Sequence, residues 1–197
     1  LFVAALVSFA GPALPAGAQV IFHDDFDHPL GPSPLWSNVR GQWTGVSGAY
    51  GASQPNNNPL TYTGLPFVMD SFELECDIRA CNDGGIMFRT DATGNNGVLL
   101  VLARGTVYWH NVVNGQAGAQ FGVISGVYTV GQDVHVRLVD QAGSYTATVN
   151  NRTTTHSSQF GPGRVGLYDF TAGGHDFDNL ILSGQCFGSA CCAVIGH

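Results

Sequence analysis

From position 20 onward, apolar residues recur at every second place in short runs rich in Val, Phe, Tyr, Thr and Leu, and the runs are broken by clusters of Gly, Asn, Asp and Pro. No stretch sustains the 3.6-residue period of an amphipathic helix, so the pattern is that of an all-β chain. Eleven strands are predicted, at 20–26, 42–46, 60–63, 71–79, 85–89, 98–104, 106–113, 134–140, 144–150, 164–170 and 176–183. Where alternation is clean it also predicts the buried face. Phe72, Leu74, Cys76 and Ile78 point one way, while Glu73, Glu75, Asp77 and Arg79 point the other. Val134, Val136 and Leu138 likewise oppose His135 and Arg137, and Tyr145, Ala147 and Val149 oppose Thr146, Thr148 and Asn150. Two sheets, each with one polar face, are expected. Gly-Asn-Asn-Gly at 94–97, Asn114-Gly115 and Ala142-Gly143 are hairpin signals, so the sheets should be mostly antiparallel. The expected architecture is a two-sheet antiparallel β-sandwich of the jelly-roll kind.

Composition narrows this further. Only 11% of the 197 residues are charged and 27 are Gly, which excludes a charged helical bundle, and 44% apolar residues suffice for one core. The net charge is −7, and all seven basic residues are Arg with no Lys. That surface argues against nucleic acid as a partner and removes Schiff-base and P-loop lysine chemistry. Residues 1–18 read as the apolar core of a secretory signal that lacks its start, closing on Ala16-Gly17-Ala18; the run is too short to span a bilayer and is broken by Pro12 and Pro15. The expected organisation is a signal at 1–18, one domain at 19–184 and a Cys-containing tail at 185–197. No second hydrophobic run predicts a membrane span, so secretion to the extracellular space, periplasm or cell surface is expected. Of the five Cys, Cys76 and Cys81 are the candidate disulfide, with a buried free thiol at Cys76 as the alternative. Cys186, Cys191 and Cys192 fall in the tail without zinc-ligand spacing.

A set of short motifs occurs in a telling order: Phe22-His-Asp-Asp-Phe26, Trp36, Gly41-Gln-Trp43, Phe72-Glu-Leu-Glu75, Gly84-Gly-Ile-Met-Phe-Arg89, Gly163-Arg-Val-Gly-Leu167 and Phe177-Asp-Asn-Leu180. Over residues 20–184 this order resembles exported domains of the concanavalin A-like lectin/glucanase superfamily, in particular laminin-G-like modules and the 3-keto-disaccharide hydrolase-like group. The resemblance implies a curved β-sandwich whose sheet often holds sugar, in a superfamily that mixes lectins, glycan hydrolases and adhesive modules.

Three kinds of chemistry are candidates. Glu73, Glu75 and Asp77 share a strand face, and neighbours there nearly meet the roughly 5–5.5 Å separation of a retaining glycosidase, with Glu75 and Asp77 as the acid/base pair and Arg79 or Arg89 tuning them. The superfamily's endoglucanases end this pattern in Glu, whereas this chain has Asp77 there and Ala80 where the bulged version has its last Glu. A solvated face, with Arg79 and Arg89 pairing the acids, is therefore favoured over catalysis. The segments His23-Asp-Asp-Phe-Asp27 and His175-Asp-Phe-Asp178 echo each other, so Asp25, Asp27 and Asp178 are candidate oxygen ligands for a structural calcium; turn capping by Asp24, Asp25 and Asp178 is the competing reading. For sugar, Trp109 is the expected ring platform, with Arg79, Arg89, Asn111 and His110 as hydrogen-bonding partners. Tyr108 and Trp109 must point to opposite faces, so only one of them can serve. Trp36 and Trp43 are expected in the core. The function expected is binding of a polysaccharide or other glycan without catalysis. Hydrolysis of a glycan or 3-keto-glycoside, and protein adhesion, are the alternatives.

Overall fold

The computed structural model describes residues 19–27, 31–171 and 173–186, so the expected signal at 1–18 and Cys191 and Cys192 lie outside the described residues. Among the described residues all regular structure is β, in two antiparallel sheets packed face to face. The first sheet runs β13 (Arg152–Ser157), β12 (Ser144–Val149), β11 (Val134–Gln141), β6 (Met69–Arg79), β15 (Asp176–Cys186), β4 (Tyr50–Ala52) and β3 (Trp43–Gly45), and β1 (Gln19–Asp24) also pairs with β15. The second runs β10 (Gln116–Ser125), β9 (Thr106–Val113), β8 (Gly97–Ala103), β7 (Asp83–Thr90), β14 (Arg164–Asp169), β5 (Tyr62–Gly64) and β2 (Ser37–Arg40). The two-sheet sandwich expected from the alternation is the observed fold.

The core lies between the sheets. From the first come Phe72, Leu74, Cys76, Ile78, Val136, Leu138 and Tyr145; from the second come Ile86, Phe88, Leu100, Trp109 and Leu167. Trp36 and Trp43 join it, packed among Phe26, Tyr50 and Phe177. Cys76 and Cys81 are both buried free thiols, so the candidate disulfide is absent. Cys76 spends its S–H on the Asp77 and Asp178 carbonyls instead.

The hairpin signals at Asn114-Gly115 and Ala142-Gly143 are two-residue turns with positive φ at both positions, 52° and 76° in the first and 48° and 98° in the second. That geometry matches the right-handed strand twist. Four strands escaped the alternation. β10 and β13 are sheet edges: β10 exposes nearly every residue, and β13 buries only Thr154, so neither carries an apolar stripe to read. β2 and β4 are four and three residues long, too short for a pattern.

One expectation fails outright. The outer face of the first sheet is polar, but the outer face of the second is not. Leu60, Tyr62, Met87, Leu99, Val101, Ala103, Val112 and Tyr168 form a second apolar cluster there. β8 is accordingly buried along its whole length, as befits a strand covered on both sides. Part of that cover is the segment between β4 and β5. Arg40 pins it by donating to the Leu60 carbonyl at 2.6 Å, and the same guanidinium holds the β7–β8 turn through Thr93 O, Gly94 O and Asn95 Oδ1 at 2.6, 2.9 and 2.9 Å.

Candidate functional site

The outer face of the second sheet holds an open cavity of about 370 Å³. Its floor is Leu99 and Val101, the outward residues of β8. Its walls are rings: Tyr108 and His110, two apart on β9 and so on one face, and Tyr168 from β14, with the exposed Phe170 just beyond that strand. Tyr108 and His110 meet edge to face at 5.3 Å and 86°. His110 Nδ1 lies 2.8 Å from Gly118 O and 3.1 Å from Ala119 O, so it is the protonated nitrogen and leaves Nε2 as an acceptor.

Amide side chains form the rim. Asn57 and Asn58 come from the segment before β5, whose backbone is fixed by an Asn57–Leu60 bridge and by reciprocal bonds between Asn56 and Thr61. Gln116 of β10 donates from Nε2 to Asn58 Oδ1 at 2.9 Å, tying the edge strand to that segment. The remaining polar group is Asp83, the first residue of β7. Burial raises its carboxyl above the usual range, and Arg104 offsets part of the effect. Rings over an apolar floor, with amides and one carboxylate at the edge, are the elements that hold a polyhydroxylated ring: C–H faces on the aromatics, hydroxyls on the polar rim.

The sequence-derived site residues are dispersed. Trp109 is not a platform. It is 0% exposed, packs edge-on to Phe88 at 6.2 Å and donates Nε1–H to Thr154 Oγ1 at 3.1 Å. Alternation was right that Tyr108 and Trp109 oppose each other, but the core takes the indole, and the phenol is the one on the cavity. Arg89 is buried as well, in a two-bond pair with Asp140 that joins the sheets. Asn111 shares the inward side of β9 with Trp109 and accepts from His156 Nε2 at 3.0 Å. Arg79 lies on the other sheet, bonded to Asp178 and to Ser47 O. Of the expected ligand residues, His110 alone lines the cavity.

The strand carboxylates also resolve differently. Glu73 pairs with Arg137 at 2.6 Å and Asp77 with His135 at 2.8 Å, its cross-strand neighbour, so the partners of this acid row are Arg137 and His135 rather than Arg79 and Arg89. A depression of about 290 Å³ on that side includes Asp77 but not Glu75, so the two do not face each other across a cleft. At the terminal strands, Asp24 Oδ1 accepts Phe26 N–H and Asp25 Oδ1 accepts Asp27 N–H, both turn-type bonds, and Asp178 Oδ1 accepts the N–H of the next residue, Asn179. Asp178 gives its other oxygen to Arg79. Among the described residues no group of three or more His, Cys, Asp or Glu is placed to hold a metal ion.

This fold has solved counterparts. The carbohydrate-binding module CBM66 from Bacillus subtilis superimposes with a TM-score of 0.61 at 19% identity, covering 77% of this chain and 93% of that one. The Bacteroides ovatus xyloglucan PUL GH43B structure gives 0.55 at 12% identity, over 86% of this chain and 40% of its own longer chain. Toad ovary galectin in complex with thio-digalactose gives 0.49 at 10% identity, over 62% and 96% of the respective chains. The chain is a two-sheet antiparallel β-sandwich of the jelly-roll kind. No family model matches it, and no curated protein matches it by sequence. At these identities the likeness is one of fold.

Proposed function

We propose that this chain is an exported glycan-binding module, and that its ligand site is the cavity on the outer face of the second sheet rather than the Trp109 side of β9. The observation that carries the reading is the grouping of Tyr108, His110 and Tyr168 around an open cavity rimmed by Asn57, Asn58 and Gln116. Its volume of about 370 Å³ falls within the range of small-ligand sites. The apolar pattern at 1–18 supports export.

The test is a glycan-array screen of the full chain and of Tyr108→Ala, followed by titration of the best ligand. Tyr108 is partly exposed and forms no part of the inter-sheet core, so the variant is expected to fold and to lose about tenfold or more in affinity with the ring. Unchanged binding by Tyr108→Ala would move the site elsewhere. Loss of binding in Trp109→Ala would carry no such meaning, because that change empties the core.

A further inference from the structure

Asp83 stands out in the cavity because nothing in the fold uses its carboxylate. It accepts no hydrogen bond from the described residues; its main chain, by contrast, is well tied, receiving Phe170 N–H at its carbonyl and giving its own N–H to Thr171 Oγ1. The neighbouring phenols of Tyr108 and Tyr168 interact with this charge electrostatically, and neither hydroxyl has a hydrogen-bond partner among the described residues. Three polar groups from β7, β9 and β14 thus converge on one cavity with their bonding capacity unspent. None of the three is a buried orphan: among the described residues their oxygens keep contact with solvent, so a ligand's hydroxyls can take the place of that water. Burial does disfavour the charged form of Asp83, so the carboxylate is held here at a cost to the fold.

We propose that Asp83 is the specificity anchor of the glycan site, accepting two hydroxyls of a neutral sugar while Tyr108 and Tyr168 position the ring, and that the site excludes anionic sugars. This rests on the assignment of the cavity as the glycan site. A carboxylate matches a vicinal diol, because its two oxygens accept from two adjacent O–H donors and such charge-assisted bonds are the strong ones. No Arg lines the cavity, and the lone charge there is negative. A uronate, sialate or sulfated sugar would bring a second negative charge to a poorly solvated carboxylate with no cation between them. Arg104, which acts on Asp83 electrostatically, is exposed at the β8–β9 turn and outside the lining.

The experiment compares the full chain with Asp83→Asn, Tyr108→Ala and, as a control on the opposite sheet, Glu75→Gln. Each is screened against neutral oligosaccharides and against uronate-, sialate- and sulfate-bearing ones, with the melting temperature of each recorded. The expected result is binding of neutral glycans only, lost roughly tenfold or more in Asp83→Asn and retained in Glu75→Gln. Asp83→Asn should melt no lower than the parent, because the fold makes no bond to that carboxylate; this separates lost recognition from lost structure. Full binding by Asp83→Asn alongside loss in Tyr108→Ala would overturn the anchor and leave the cavity assignment standing. Preference for anionic glycans would overturn it as well. Absence of glycan binding in the parent, or binding indifferent to Tyr108→Ala, would overturn the cavity assignment and this inference together.

Discussion

Replacing Arg89 by Met should cost this protein about 3–5 kcal/mol, and the reason is the carboxylate left behind. Arg89 Nε donates to Asp140 Oδ2 at 2.7 Å and Nη2 to Oδ1 at 2.8 Å, with the two side chains 3% and 1% exposed. The same guanidinium satisfies the carbonyls of Phe160 and Asp70, at 3.1 and 2.6 Å. In Arg89→Met, Asp140 keeps one donor, Gly143 N–H at 3.3 Å, for a buried charge. For a domain of this size the loss corresponds to a fall of roughly 6–20 °C in melting temperature. The double variant Arg89→Met/Asp140→Leu removes the stranded charge and should be more stable than Arg89→Met alone, with a residual cost from the two unpaired carbonyls. The pH dependence follows the same logic. Burial already raises the Asp140 carboxyl, and without Arg89 it rises further, so the folded variant takes up a proton more readily than the unfolded chain. The defect is then full well above that raised value and shrinks as pH falls through it towards the ordinary carboxylate range. Urea unfolding of the parent, both single variants and the double, at neutral and acid pH, measures all of this. Single variants costing less than about 1 kcal/mol, or a double equal to the sum of its singles, would refute the reasoning.

Two other buried ionisable groups pull the pH dependence in opposite directions. Burial pushes Asp169 up to about 7, so its contribution favours folding as pH falls from about 7 towards the ordinary carboxylate range. Burial holds His175 down to about 3, so its contribution is fully present above the usual imidazole range and is lost as pH falls from there towards 3. Asp169→Asn should therefore steepen acid destabilisation and His175→Asn should blunt it; identical melting-temperature profiles for parent and variants between pH 3 and 8 would contradict both assignments. The Cys76 and Cys81 thiols are raised by burial, the latter to about 12, so alkylation mapped by peptide mass spectrometry should leave both unmodified in the native protein and label them only after unfolding. Rapid native labelling of either would mean that the core opens locally.

Fold and site were legible to different degrees. Strict alternation in 71–79 and 134–138 showed which residues of β6 and β11 face inward, because a period of two allows only two faces and one of them is charged. The same rule could not say which face of β9 was the core. Tyr108 and Trp109 are both large and aromatic, and the choice depended on the other sheet, where Tyr145 and His156 pack around the indole. Nor could local pattern reveal that the second sheet is covered on its outer side, since that depends on where the segment before β5 is pinned by Arg40, 20 residues away from Leu60. Arg89 reads in sequence as a sugar-binding or acid-pairing residue and becomes half of a buried pair with Asp140 only because strands from opposite sheets meet. Asp83 lies two residues ahead of the strand predicted at 85–89 and carries no signal in sequence until β7, β9 and β14 bring it beside two tyrosines with no donor of its own. Alternation, turns and composition are local and are written in the sequence. The ligand site is a meeting of strands distant in the chain, and only the tertiary structure decides it.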